Sequence, residues 1–193
     1  MTDTIASYLN FFWAGLRRHR QTGGIVPSQG FLIAKMIAPV PQDYRGQIVE
    51  LGAGSGALTL ELAARCPEAR ILACEINPTL ARDCRHNVMK AGHAERVEVA
   101  TVPAEQLFSE MRQRGELVKP DFIISGIPFG NIGRVKAARL LDAIRDNLGA
   151  GGMFIQFQHS LLERARIRAR FPNTRTVPVL LNFPPAVVYY AQK

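Results

Sequence analysis

Two rhythms of apolar and polar positions run along this chain. From Ile5 to Leu16 the apolar residues Ile5, Tyr8, Leu9, Phe12 and Leu16 recur at helical spacing, with Trp13 at the edge of the stripe. That pattern predicts an amphipathic helix, which ends in Arg17, Arg18 and Arg20. A helix packed on a core and a helix lying on a membrane surface share the pattern, but Phe11 lies off the stripe and widens the apolar surface toward the second. A glycine-rich turn, Thr22 to Gly30, follows, with Ser28 as the expected N-cap of a helix through Phe31, Leu32, Lys35 and Met36 that Pro39 stops. Ile25, Val26 and Pro27 fit either an ordinary connection or a lid over a bound ligand.

Beyond residue 46 the rhythms alternate. Strand patterns at Ile48–Val49, Ile71–Cys74, Val97–Thr101, Phe122–Ser125 and Met153–Phe157 are separated by helical patterns at Ala57–Arg65, Pro78–Lys90, Glu105–Arg114 and Val135–Leu148. Two closing runs, Val177–Leu181 and Ala186–Tyr190, fit a hairpin at the edge of the sheet, with Pro184 and Pro185 in its turn. The expectation is an α/β fold with a seven-stranded, mostly parallel sheet flanked by helices.

Length and composition add limits. One domain suits 193 residues of which 47% are hydrophobic. The apolar runs fall far short of the roughly 18 residues a membrane span needs, and the polar start gives no sign of a secretory signal. Three cysteines without metal-ligand spacing fit a reducing cytoplasm, and no metal site is expected. A net charge of +8 draws the chain toward a polyanion, either nucleic acid or an anionic membrane. The cluster Arg164, Arg166, Arg168, Arg170 and Arg175 serves that purpose or forms a solvated face.

The chemistry concentrates in Val49–Thr59. Glu50 ends a strand, Gly52, Gly54 and Gly56 form a tight turn, and a helix begins at Ala57. A second acid, Glu75, closes the next strand at the distance where dinucleotide folds place a ribose ligand. Gly52, Gly54 and Ala57 also satisfy the dinucleotide fingerprint, but Glu50 would repel a pyrophosphate and attract the sulfonium and ammonium of S-adenosylmethionine. In an open parallel sheet the ligand lies beyond the carboxyl ends of the strands. Gly52–Gly56 and Glu50 would then hold the methionine portion, Glu75 and Ile76 the ribose side, and Pro103 and Ala104 the adenine, with Pro103 where many methyltransferases carry an acid. Ser125–Phe129 would face the methyl acceptor.

That last segment, SGIPF, resembles the Asn/Asp-x-Pro-Phe/Tyr motif of amine methyltransferases, in which oxygens orient a nitrogen lone pair toward the donor methyl. Gly126 stands where the Asn-Ile-Pro-Tyr motif of the ribosomal RNA adenine dimethyltransferases has its amide, which counts against a base substrate. Taken with GGIVPS (Gly23–Ser28), ELGAGSG (Glu50–Gly56), Gln156 with Phe157, and FPPAVVY (Phe183–Tyr189), the chain resembles the soluble, membrane-associated bacterial phospholipid N-methyltransferases over nearly its whole length.

The resemblance implies a class I, Rossmann-like fold and conversion of phosphatidylethanolamine, through its mono- and dimethyl forms, toward phosphatidylcholine. S-adenosylmethionine would be the donor and S-adenosylhomocysteine the product. It implies an N-terminal membrane-contacting helix (1–20), a lid (21–40) and a methyltransferase core (46–193). The protein would be a monomer on the inner face of the cytoplasmic membrane. Ser125, Gly126, Ile127 and Pro128 would form the acceptor side; by position, His159 and Tyr189 or Tyr190 are candidates for taking the ammonium proton, as is water. The alternative is methylation of an RNA base, with the basic charge serving phosphates.

Overall fold

The computed structural model describes residues 27–115, 118–182 and 185–193, with side chains from residue 30 onward. The predicted helix at Ile5–Leu16 and two of the lid residues, Ile25 and Val26, lie outside this range, as does Pro184 of the predicted turn. Helix α1 spans Pro27–Ile37 and includes Ser28 within it, not before it as a cap. The alternating pattern then yields β1 (Gln47–Leu51), α2 (Ala57–Arg65), β2 (Arg70–Cys74), α3 (Pro78–Lys90), β3 (Val97–Ala100) and α4 (Ala104–Gln113). It continues as β4 (Phe122–Ser125), a 3-10 turn (Phe129–Asn131), α5 (Arg134–Asn147), β5 (Met153–Gln158), α6 (Arg164–Arg170), β6 (Asn173–Val179) and β7 (Ala186–Gln192).

The seven strands form one sheet in the order β3-β2-β1-β4-β5-β7-β6. β1 to β5 run parallel, and β7 pairs antiparallel with both β5 and β6. This is the expected architecture, with the hairpin at one edge. Each face carries its own apolar layer, as a parallel sheet buried on both sides requires. One face packs Ile48, Ile71 and Ile124 against Leu58, Leu62, Val88 and Met36. The other packs Val49, Leu72, Ile123 and Phe154 against Leu107, Phe108, Leu141 and Phe171.

Two elements differ from the sequence expectation. α6 runs through the arginine cluster, and β6 begins at Asn173 instead of Val177. Leu180 and Leu181 belong to the turn beyond β6, not to the strand. Pro178 sits in β6 because that strand is the edge, where a missing N–H leaves no ladder position empty. The arginines are largely engaged. Arg166 pairs with Glu163, Arg170 forms two bonds with Asp142, Arg168 reaches Thr174 O, and Arg175 lies 5.0 Å over the Tyr190 ring.

Candidate functional site

The strand order reverses between β1 and β4, and there the predicted segments meet. Gly52 N and Ala53 N both donate to Cys74 O at 2.9 Å, which bends the chain out of β1 across the end of β2. Gly52, Gly54 and Gly56 have φ of +80°, +60° and +94°, a region that L side chains avoid. Space is equally restrictive. A Cβ on Gly52 would lie 3.0 Å from Ile127 Cγ1, and one on Gly56 would lie 2.8 Å from Cys84 Sγ.

The two acids frame this loop. Glu75 is buried and accepts from Gly54 N at 2.9 Å and Asn77 N at 2.8 Å. Burial pushes its carboxyl upward, and the backbone N–H groups of Asn77, Gly54 and Ile76 oppose that shift. Glu50 is buried beneath the loop on the α2 side, where its Oε2 accepts from Thr59 Oγ1 at 2.6 Å. Burial pushes Glu50 up to about 7, with Glu75 adding to the rise and the Thr59 bond opposing it. Two carboxylates below one glycine loop favour a cation over a pyrophosphate. The loop's bare backbone and the two acids therefore fit S-adenosylmethionine.

The other residues expected on the donor side sit at the ends of neighbouring strands. Ile76 is exposed just past β2, and Pro103 is the N-cap of α4 with Ala104 buried as its first residue. On the acceptor side, Gly126 N donates to Leu51 O at 2.8 Å, drawing the end of β4 against β1. A Cβ on Gly126 would meet Gly52 O at 3.0 Å. The missing amide is thus tied to close contact between the donor loop and the acceptor motif. Ser125 is fully buried, and its Oγ accepts from Ile127 N at 3.1 Å, fixing the turn before Pro128.

His159 stands exposed beyond β5, with Nδ1 3.1 Å from Pro185 O. A carbonyl only accepts, so Nδ1 carries the hydrogen in this contact. Tyr189 is different. Its ring is fully buried, its hydroxyl donates to Ser160 O at 3.2 Å, and burial pushes its pKa upward. The side chain is thereby held in the core beside Gln156, its register partner on β5.

Two contacts escaped sequence reasoning: that of Thr59, which holds Glu50, and that of Gln156, named above only within the resemblance, which donates from Nε2 to Ile127 O at 2.9 Å. The available signal for the second was a glutamine within the otherwise apolar start of β5. A concavity of about 290 Å³ lined by Pro39, Met153, Arg175 and Tyr190 opens at the other end of the sheet, away from these groups. Among the described residues no group of His, Cys, Asp and Glu could hold a metal ion.

A seven-stranded sheet with this order and a glycine loop between two acids defines a class I, S-adenosylmethionine-dependent methyltransferase. Residues 48–152 match the family model described as a methyltransferase domain, more than half of the chain, and the protein belongs to that family. An O-methyltransferase from Bacillus cereus in complex with S-adenosylhomocysteine superposes with a TM-score of 0.66 at 19% identity, covering 99% of this chain and 91% of that one. An RNA methyltransferase from Salinibacter ruber, also with S-adenosylhomocysteine, gives 0.59 at 20% identity, covering 86% and 93%. Both likenesses concern the fold.

Among curated relatives, an ornithine lipid N-methyltransferase from Singulisphaera acidiphila is 28% identical over 87% of this chain and 86% of its own length. A tRNA1(Val) (adenine(37)-N6)-methyltransferase from Klebsiella pneumoniae subsp. pneumoniae is 28% identical over 62% of this chain. The match spans 55% of that relative.

Proposed function

We propose that this methyltransferase acts on the amine of a membrane-lipid headgroup, converting phosphatidylethanolamine through its mono- and dimethyl forms toward phosphatidylcholine. The observation that carries the reading is an apolar rim at the site end of the sheet. Leu161 and Leu162 follow β5, Leu180 and Leu181 follow β6, and all four are exposed, at 53%, 84%, 76% and 67%. A soluble base needs no such rim, whereas a headgroup presented at an interface does. The near full-length likeness to a lipid N-methyltransferase supports the same reading, as does Gly126, which offers no amide to an aromatic amine. Among the described residues no helix is long and apolar enough to cross a membrane, so contact would be peripheral.

The reaction is an in-line displacement. The ammonium first loses a proton, to a side chain such as His159 or to water. The freed nitrogen pair then attacks the donor methyl as the carbon–sulfur bond breaks, and its electrons pass to sulfur to give S-adenosylhomocysteine. Alignment supplies much of the rate. The basic N-terminal segment would hold the enzyme on anionic lipid.

Purified protein with labelled donor should methylate phosphatidylethanolamine in mixed anionic vesicles, read by lipid chromatography. Parallel reactions contain ornithine lipid or tRNA. Label in ornithine lipid alone would move the substrate within the aminolipids. Label in tRNA with none in lipid would overturn the proposal in favour of the base-methylating relatives.

A further inference from the structure

One of the two glutamines on β5 has an oxygen without a hydrogen-bond partner among the described residues. Gln156 is fully buried beside Ser125, its register partner on β4. Its Nε2 donates to two carbonyls, Ile127 O at 2.9 Å and Phe157 O at 2.6 Å. Because both partners can only accept, the orientation of the amide is fixed by them. Oε1 is buried and has no hydrogen-bond partner among the described residues. A buried acceptor left unpaired is costly, by about 1–3 kcal/mol, a cost that a donor arriving with a ligand would relieve.

The place of that oxygen suggests the donor. Ile127 is the middle residue of Gly126-Ile127-Pro128, the segment facing the acceptor, and its carbonyl is held by Gln156 with additional support from Gln158 Nε2 at 3.4 Å. An amide's oxygen and nitrogen share one carbon, so Gln156 Oε1 lies within about 5 Å of Ile127 O. One nitrogen at ordinary hydrogen-bond distance can span both. We infer that Gln156 is a substrate-orienting residue whose Oε1, paired with Ile127 O, accepts the N–H groups of the incoming amine. It supplies from the neighbouring strand the side-chain oxygen that Gly126 lacks. The inference rests on the headgroup-amine reading above.

With two N–H bonds engaged, a neutral primary amine has its lone pair left for the donor methyl. As the new N–C bond forms and the C–S bond breaks, positive charge grows on nitrogen, and both carbonyl dipoles stabilise it. A monomethyl amine retains one N–H after losing its proton, and a dimethyl amine retains none. The contribution of Gln156 therefore falls with each methyl added, a gradation that a purely structural role does not produce.

The test compares wild type with Gln156→Met and Gln158→Met on vesicles carrying phosphatidylethanolamine or its mono- or dimethyl form. Calorimetric binding of S-adenosylmethionine within twofold of wild type verifies the fold. Gln156→Met should lower kcat by about tenfold to a hundredfold on the primary amine, less on the monomethyl form and under twofold on the dimethyl form. Gln158→Met, which loses a bond to the same carbonyl, should act evenly. Gln156→Asn withdraws the amide by one methylene and should give the same gradation, covering the case in which the apolar variant does not fold. If wild type stops early, the substrates it does turn over are compared. A loss equal across substrates, or none on the primary amine, overturns the assignment. Wild-type inactivity on all three lipids instead overturns the headgroup reading itself.

Discussion

Glu50→Gln isolates the cost of a buried acid beneath the donor loop. Gln keeps the shape and still accepts from Thr59 Oγ1, so what changes is the ability to ionise. The Glu50 carboxyl has an ordinary value of 4.5 and is pushed up to about 7 by burial. In the unfolded chain it loses its proton near 4.5, whereas in the unliganded fold it keeps it until about 7. The associated stability is therefore fully present below pH 4.5, is lost across the window from 4.5 to about 7, and stays lost above it. At about 1.4 kcal/mol per pH unit the whole window is worth about 3 kcal/mol. Urea denaturation of both proteins without donor, from pH 5 to pH 8, gives the difference directly. The variant should gain about 2 to 3 kcal/mol on wild type over that range. The donor should reverse the balance, because its cationic end favours the ionised acid. Wild-type affinity should rise with pH toward 8 with release of a proton, and the variant should show neither effect. Parallel stability profiles of the two proteins would refute the assignment of that titration to Glu50.

Two further substitutions probe the frame around the acid. Gly52→Ala places a Cβ at a φ of +80° and 3.0 Å from Ile127 Cγ1, so it should cost about 1–2 kcal/mol by denaturation and weaken donor binding in calorimetry. Arg96 donates to Ala63 O, Cys66 O and Ala69 O at the end of α2, and Arg96→Met should lower stability by about 2 kcal/mol in thermal unfolding while donor affinity stays within twofold.

The donor side was legible because its chemistry follows chain order. Strand, glycine turn and helix are consecutive, and Glu75 closes the next strand, so spacing alone placed Glu50, Gly52, Gly54, Gly56 and Glu75 together. The acceptor side depends on register between distant strands. Gln156 lies against Ser125 only because β5 pairs with β4, and its bond to Ile127 spans 29 positions. α6 was hidden for a different reason. Ile167 is its only buried residue, so no apolar stripe marks it, and ion pairs to Glu163 and Asp142 fasten it instead. Tyr189 and His159 looked equivalent as proton acceptors in the sequence. The fold separates them, since one side chain points into the core and the other stands beyond the end of its strand.

The three cysteines, unremarkable in the sequence, acquire a use from where two of them sit. Cys74 ends the strand whose carbonyl holds Gly52 and Ala53, and Cys84 Sγ fills the space beside Gly56 and lies 3.8 Å from Thr59 Oγ1. Burial pushes both thiols up to about 12. Only the thiolate reacts with an alkylating reagent, so at neutral pH modification waits for the surrounding structure to open. These sulfurs are native clocks set beneath the donor loop. Their labelling rates report how often it comes apart, and by how much a bound donor slows that opening.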